Sequence, residues 1–405
     1  MKKNIMILSI NSYVYYKVED NGYVFYNTLN HLNVLGTDMK IVNYLKKNID
    51  FKNHLIIFDY SEISKSSDLL KLLNKLKLYD MCIDISNCKQ YLKIAHTSRR
   101  PQIVFESYLN SSCNLRRANF FQLSIYVNSC TDSKYNQFSS NEQIVFPQYY
   151  SEIRSLPQSP ELIMFFETIL KSNLRKLNLI IGEINSTKDY LYIINYFRNS
   201  NIVIELYLLF ADFCENHRYI DEIRLLNPKV KINIIYVCSL HGNEITNSIK
   251  TNEAVFNFVV QNEMDLEIVS KCVDKTSKYN IIPYCNDNNM KFISEHLYLD
   301  ISDIMERKLF LRDINANRII NNHFFGRFNL FVNGDIYIGM SEKIANIIEM
   351  QFDDLLYDAH FTARNWFFTR SKITPCKNCF LCDLCPSISD YELSLGNFNL
   401  CNVEI

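Results

Sequence analysis

Alternation of apolar and polar positions divides the chain into three stretches with different rhythms. In the first, Ser12–Val18 and Tyr23–Thr28 are runs of aromatic and β-branched residues separated by Glu19-Asp20-Asn21-Gly22. Such runs around an Asn-Gly pair predict a hairpin, because these residues accept the positive φ angles of a tight turn. Thr37 stands where a helix cap belongs, with Ile41, Val42 and Leu45 on one helical face. A strand near Leu55–Phe58, a helix from Ser67 to about Leu78 and a short strand at Met81–Ile85 follow. Hairpin plus helices is also the outline of a winged-helix-like α+β module, which would occupy residues 1–95.

From about residue 120 the rhythm becomes strand, helix, strand. Predicted strands are Phe121–Val127, Leu177–Ile181, Ile202–Leu209, Val230–Val237, Val255–Val260 and Asn280–Tyr284, with helices at about 159–173, 187–199, 212–226, 242–250 and 264–276. Short buried strands alternating with such helices predict an α/β fold with a parallel sheet and crossover helices. About six units over 96–310 fit a partial (β/α) barrel, with an open doubly wound sheet as the rival. After residue 310 the pattern breaks. Phe325–Val332, then Asn333-Gly334, then Asp335–Ile338 predicts a second hairpin. A helix near Phe352–Leu356 leads into a cysteine-rich tail, and 311–405 form the third expected unit.

Composition narrows the function classes. The 43 basic and 44 acidic residues give a net charge of −1, so no global field draws in nucleic acid or anionic lipid. Eight glycines and eight prolines leave little for long flexible linkers. No run of about 18 apolar residues suggests a membrane span. Ile5–Ile10 after Met1-Lys2-Lys3 is too short for a signal peptide, and no small-residue cleavage site follows. With no export signal, the thirteen cysteines are expected to be thiols or metal ligands in a cytoplasmic protein.

Five of the thirteen fall between positions 376 and 401. The tail reads Pro375-Cys376-Lys-Asn-Cys379-Phe-Leu-Cys382-Asp-Leu-Cys385-Pro386, with Cys401 near the end. Two cysteines separated by two residues curl around one metal centre, with the intervening amides aimed at the sulfurs. A four-thiolate site suits an iron–sulfur cluster or structural zinc equally well, so spacing alone leaves the metal open.

Several segments resemble the radical SAM/SPASM superfamily, in its degenerate pseudo-radical-SAM branch from the peptide-modification systems of Bacteroidales. Tyr26-Asn-Thr-Leu29 resembles the leader-recognition region of such proteins, and Phe325-Gly326 with Asn333-Gly334 resembles the SPASM hairpin. Trp366-Phe-Phe-Thr-Arg370, Pro375–Cys379, Leu384-Cys-Pro-Ser387, Tyr391-Glu392 and Asn399-Leu-Cys401 carry the resemblance furthest. It implies one 4Fe-4S cluster on Cys376, Cys379, Cys385 and Cys401, with Cys382 as a spare thiol and zinc as the alternative. It also implies a SPASM-like iron–sulfur domain, a degenerate radical SAM barrel and a leader-recognition-like module.

The same resemblance exposes what is missing. The family's three cysteines after the first barrel strand correspond here to Cys130, Lys134 and Gln137. An ammonium group cannot replace a thiolate, and glutamine is a poor iron ligand. The family's Gly-Gly-Glu-Pro corresponds to Ile181-Gly182-Glu183-Ile184, with its flanking glycine and proline lost, and Gly339 and Met340 flank the second hairpin without cysteine. Binding of S-adenosylmethionine is therefore not expected. The implied role is a non-catalytic scaffold in ribosomal peptide maturation, partnered by a precursor peptide, an active radical SAM enzyme or both. A peptide-modifying or electron-transfer enzyme and a zinc-stapled binding protein are the alternatives.

The first hairpin's edge is a candidate peptide site by strand addition, with Tyr13, Tyr15, Tyr23 and Phe25 as contacts or merely as core. Cys82, Cys88, Cys113 and Cys130 read as ordinary small residues, and His54 and His323 as packed. Arg99-Arg100 and Arg116-Arg117 are small solvated basic patches, and Trp366 and Arg370 are expected to brace the cysteine loop.

Overall fold

A computed structural model describes residues 5–86, 117, 119–139, 143–152, 154–156, 159–242, 254–272, 278–286 and 288–403. Cys88, Cys113, Arg99-Arg100, Arg116, most of the helix expected at 242–250 and the end of that expected at 264–276 lie outside the described residues.

Two small antiparallel sheets form the N-terminal part. β1 (Ile5–Ile10) runs between β6 (Leu55–Asp59) and β7 (Cys82–Asp84), with β5 (Ile49–Asp50) beyond β6. The other sheet joins β2 (Val14–Glu19), β3 (Gly22–Asn27) and β4 (Asn33–Gly36) in sequence order. The helix Ser67–Leu78 buries Leu69, Leu72, Leu73 and Leu76, a stripe at three- and four-residue spacing. The helix Met39–Asn48 buries Ile41, Val42 and Leu45 as expected, but Asp38 rather than Thr37 caps it, accepting from the Lys40 N–H at 2.8 Å. Asp38 is one residue closer to the helical start, within reach of the second helical amide.

The first hairpin forms, for a different reason than its Asn-Gly pair suggests. Glu19 pairs with Gly22, so Asp20 and Asn21 make the turn, and neither Asn21 nor Gly22 has a positive φ. Gly22 is required by a close approach instead: a Cβ there would stand 2.6 Å from the ring of Phe380, in the distant cysteine loop.

The central sheet has nine strands. β8 (Gln122–Tyr126), β9 (Lys176–Ile180), β10 (Val203–Leu209), β11 (Lys231–Val237), β12 (Ala254–Val260) and β13 (Tyr279–Pro283) lie parallel and in chain order. A doubly wound sheet would reverse its order at a central strand; this one does not, which is the order of a barrel segment. The helix expected at 212–226 is two, Phe210–Glu215 and His217–Leu226. The second hairpin does not stand apart from this sheet. β14 (Arg327–Leu330) pairs parallel with β8, and β15 (Asp335–Ile338) and β16 (Glu342–Asn346) continue antiparallel beyond it. Gly334, with φ +81°, completes the turn between β14 and β15.

Strand alternation gives the sheet two unlike faces. Leu123, Ile125, Leu177, Leu179, Leu206, Leu208, Ile232, Ile234, Phe256 and Phe258 belong to the main apolar core that the helices complete. On the opposite face Ser124, Asn178, Glu205, Asn233, Asn257 and Asn329 are polar, whereas Leu209, Ile235, Val237 and Val259 make an apolar tier nearer the strand ends, with Asn257 directly opposite Ile235. Tyr135, Phe138, Ile144 and Phe146, from the chain after β8, pack onto that apolar tier and are all buried. Full burial of one such side chain stabilises by about 1.5–3 kcal/mol.

Gly326 makes the junction of β14 with β8. Its carbonyl accepts from the Phe121 and Gln122 N–H groups at 2.8 and 3.2 Å. Its φ is +72°, and a Cβ would stand 2.0 Å from the Asn119 carbonyl oxygen. Gly326→Ala is therefore expected to lower the unfolding free energy by about 2–4 kcal/mol, measured by urea denaturation; a loss under about 0.5 kcal/mol would contradict this account of the junction.

Candidate metal centre

The chain after helix Phe352–Thr362 is short of regular structure and rich in side-chain ties. Cys376 lies in a 3-10 turn (Cys376–Asn378), Cys379, Cys382 and Cys385 follow in a tight loop, and the helix Asp390–Leu395 leads back to Cys401. Ser389 caps that helix with Glu392 in a reciprocal capping box. Cys401 is brought home by backbone pairing: the Leu299 N–H donates to the Leu400 carbonyl at 3.2 Å, and the Asn402 N–H donates to the Leu299 carbonyl at 3.0 Å. All five cysteine side chains line one small pocket, closed by Leu299, Ile304, Leu400, Val403 and Arg370.

Arg370 holds the pocket's frame. Its guanidinium donates to both carboxylate oxygens of Glu392 at 2.8 and 2.9 Å, to the Pro386 carbonyl at 2.5 Å and to the Phe398 carbonyl at 2.8 Å. Both partners are almost fully enclosed, with side chains 11% and 3% exposed. Burial alone would favour a neutral arginine; the Glu392 carboxylate outweighs it and raises the Arg370 pKa. The same guanidinium stands 3.8 Å from the Cys376 sulfur. The Leu381 N–H donates to the Cys379 sulfur at 3.4 Å. Trp366 differs from the expectation that it braces the loop: its ring packs in the main core against Phe325, Phe328 and His360, because it belongs to the short helix Arg364–Phe367 rather than to the cysteine loop.

The thiols divide four to one. Burial pushes Cys376, Cys379 and Cys385 up; Arg370 counters at Cys376 and Cys385, and at Cys385 the thiols of Cys379, Cys376 and Cys401 add to the rise. Cys382 is pushed up to about 12 by burial and the Asp383 carboxylate, with the Lys17 ammonium opposing. Its sulfur lies 3.1 Å from the Lys17 Nζ and 3.1 Å from an Asp383 carboxylate oxygen. Among the described residues, no three of the five sulfurs lie within 4.8 Å of one another. A tetrahedral zinc with bonds of about 2.3 Å draws its sulfurs to about 3.8 Å apart, whereas a multi-iron cluster spreads them more widely.

The first hairpin reaches this loop from the other end of the chain. Lys17 also donates to the Cys379 carbonyl at 2.8 Å, and the Tyr15 hydroxyl donates to Asp383 at 3.1 Å. Arg318 lies 3.4 Å from the same carboxylate, and Arg307 donates to the Leu384 carbonyl at 2.9 Å. Tyr15, Tyr23 and Phe25 are buried and Tyr13 donates to Asp80 at 2.6 Å, so these rings build the module and its contact with the loop. Lys17, Tyr15 and Asp383 carry no sequence signal for this role. Glu392 had one, since it completes the Ser389 capping box.

At the strand ends of the central sheet the three positions Cys130, Lys134 and Gln137 do not converge. Cys130 is buried among apolar side chains, its thiol pushed up to about 11 by burial and then by nearby carboxylates. Lys134 and Gln137 are exposed, and Lys134 pairs with Asp132 at 2.8 Å. Gly182 and Glu183 are engaged by the chain's own loop. The Gly182 N–H donates to the Asn128 side chain at 2.9 Å, and a Glu183 carboxylate oxygen accepts from the Thr131 N–H at 3.0 Å and from its hydroxyl. Asp212 lies in this acidic group, its carboxyl pushed up to about 7 by burial, against a backbone N–H of Ile184, with Glu183 and Glu215 adding to the rise. His54 and His323 are packed with partners: the Tyr16 hydroxyl at 2.8 Å for one and the Asp390 carboxylate at 2.6 Å for the other.

No protein-family model matches this chain, and no curated protein does. Among solved structures it is similar to Streptococcus suis SuiB bound to S-adenosylmethionine, with 14% identity over 93% of this chain and 94% of that one and a TM-score of 0.47. SuiB bound to precursor peptide SuiA matches with 15% identity over 98% and 100%, TM-score 0.44. A further crystal structure of Streptococcus suis SuiB matches with 12% identity over 97% and 100%, TM-score 0.44. No helix among the described residues is long and apolar enough to cross a membrane.

Two measurements probe this geometry. Arg370→Ala leaves the Glu392 carboxylate buried and unpaired and should cost about 3–5 kcal/mol of unfolding free energy; a loss below about 1 kcal/mol would show the pair is solvent-screened. Because the folded-state pKa of Asp212 is raised, its stabilising contribution is complete below about pH 4 and is lost as pH rises through about 7. Asp212→Asn should flatten that slope and raise stability at pH 8 by on the order of 2–4 kcal/mol, read from denaturant midpoints at several pH values.

Proposed function

We propose that this chain is a non-catalytic, radical-SAM-like scaffold of peptide maturation that binds one 4Fe-4S cluster through Cys376, Cys379, Cys385 and Cys401. The observation that carries the reading is the convergence of the tail's cysteines on one pocket framed by the buried Arg370–Glu392 pair. All five line it, and within it the Cys382 sulfur is held by Lys17 and Asp383, which supports its place as the spare. Negative thiolates gain from the nearby guanidinium of Arg370. Bound to the folded chain alone, the cluster would add its binding free energy to the stability of the C-terminal region.

The scaffold part of the reading draws its support from the strand ends. There Lys134 and Gln137 face solvent and supply no thiolate, while Gly182 and Glu183 serve the loop after β8. The apolar tier beneath is filled by that segment's own Tyr135, Phe138 and Phe146. For a peptide partner, the outer edge of β4 has no strand neighbour among the described residues and is preceded by exposed Leu29 and Leu32. An extended peptide adds to such an edge through its backbone.

A second reading, an enzyme that moves electrons or modifies peptide through the same cluster, is favoured by one contact. The Lys17 ammonium, 3.1 Å from the Cys382 sulfur, would stabilise a fifth, exchangeable thiolate. Anaerobic purification with metal and sulfide analysis separates the cases. About four irons per chain, visible charge-transfer absorption, iron content unchanged in Cys382→Ser and largely lost in Cys385→Ser are expected. With S-adenosylmethionine and dithionite, no 5′-deoxyadenosine should form. One zinc per chain would remove the cluster, and 5′-deoxyadenosine would remove the scaffold.

A further inference from the structure

Strand β2 sends its side chains to two different places. Val14, Tyr16 and Val18 pack in the core of the N-terminal part, while Tyr15 joins the apolar cluster that contains Cys379, Phe380, Leu381 and Cys382. Alternation along the strand puts Lys17 on the Tyr15 face, directly opposite Val24 of β3, which belongs to that same cluster. A lysine is thus aimed at the cysteine loop.

Lysine is a poor strand former, and a half-buried ammonium is costly unless its donors are met. Lys17 meets three partners, one for each ammonium N–H: the Cys379 carbonyl oxygen at 2.8 Å, the Cys382 sulfur at 3.1 Å and a Glu19 carboxylate oxygen at 3.3 Å. Its side chain is 19% exposed, whereas that of Glu19 is 33% exposed, so water screens the carboxylate more than the ammonium. The other charges here are matched locally. Arg370 is matched by Glu392, and Asp383, 3.1 Å from the Cys382 sulfur, is met by Arg318 at 3.4 Å and by the Tyr15 hydroxyl. Lys17 keeps a surplus of positive charge against the loop, as does Arg307 through the Leu384 carbonyl.

An iron–sulfur cluster held by four thiolates is negative, and taking up one electron makes it more so without breaking a bond. Net charge and hydrogen bonds around the sulfurs set its reduction potential, and a cation held against a ligating residue favours the electron-rich state. We infer that Lys17 is a positioning residue for the cluster proposed above, an outer cation by which the N-terminal hairpin raises its reduction potential. The inference rests on that reading. It ties the potential to docking, because any movement of β2 away from the loop withdraws the charge.

Redox titration of the anaerobically purified full chain with dithionite, followed by visible absorption and electron paramagnetic resonance, tests this. In Lys17→Met the ratio of reduced to oxidised cluster at a fixed potential should fall at least tenfold, a drop of about 59 mV for one electron. Lys17→Arg keeps the charge and should hold the wild-type midpoint. Tyr15→Phe removes a neighbouring tie between hairpin and loop but no charge, and should leave the midpoint unmoved. If Lys17→Met does not fold or hold iron, Lys17→Gln, which keeps a donor, is read in its place. An unchanged midpoint in the neutral variant at full iron content would overturn the inference and leave the cluster standing. An equal fall in Tyr15→Phe would overturn it too, since loosened packing rather than charge would then be the cause, as would a wild-type cluster that dithionite does not reduce. A wild-type chain that holds zinc or no iron overturns the cluster reading itself, and this inference with it.

Discussion

Arg370 is where three separated pieces of the C-terminal region meet, and its pairing with Glu392 sets the geometry that everything around the cysteines depends on. One guanidinium ties the end of the cysteine loop at Pro386, the helix Asp390–Leu395 at Glu392 and the tail at Phe398. Each tie uses donors that a planar, permanently charged fork supplies and a lysine would not. An ion pair this enclosed is a weak source of net stability, because both ions lose their water. Its value is in exclusion: any arrangement of loop and tail that separates the two charges strands a buried ion, so the sulfurs have one well-favoured disposition.

That disposition is also secured from the far end of the chain. Phe380 fills the space that Gly22 leaves open, Lys17 takes the Cys379 carbonyl, and Tyr15 with Arg318 grips Asp383. The N-terminal hairpin is therefore part of the wall behind the cysteine loop. On the proposed reading, metal binding would stabilise the docking of the two regions together, since ligand free energy spreads to whatever the bound state requires.

The central sheet shows a different economy. Its helix-facing side is a continuous apolar core, whereas its opposite side is split between a filled apolar tier and polar positions with idle amides. The residues that resemble a cofactor-binding signature, Gly182 and Glu183, are turned to local architecture by Asn128 and Thr131. The open space lies elsewhere, against Asn257, Asn329 and Tyr207.

Much of the local structure is legible in the residue pattern. The six parallel strands, the helix Ser67–Leu78 and the strands of both hairpins follow from periodicity, and the second hairpin's turn from its Asn-Gly pair, all of which depend only on neighbours within a few positions. The crowding of five cysteines near the C-terminus is likewise a property of order along the chain. Tertiary structure decided the rest: the joining of β14 to β8, the division of Cys382 from the other thiols, the burial of Trp366 away from the loop, and the role of Lys17. It also decided that Gly22 serves a contact rather than a turn angle. Each of these depends on residues more than a hundred positions apart or on which way a loop folds back, and periodicity holds no information about either. What a side chain is chemically can be read in order; what stands opposite it is settled only when the chain closes on itself.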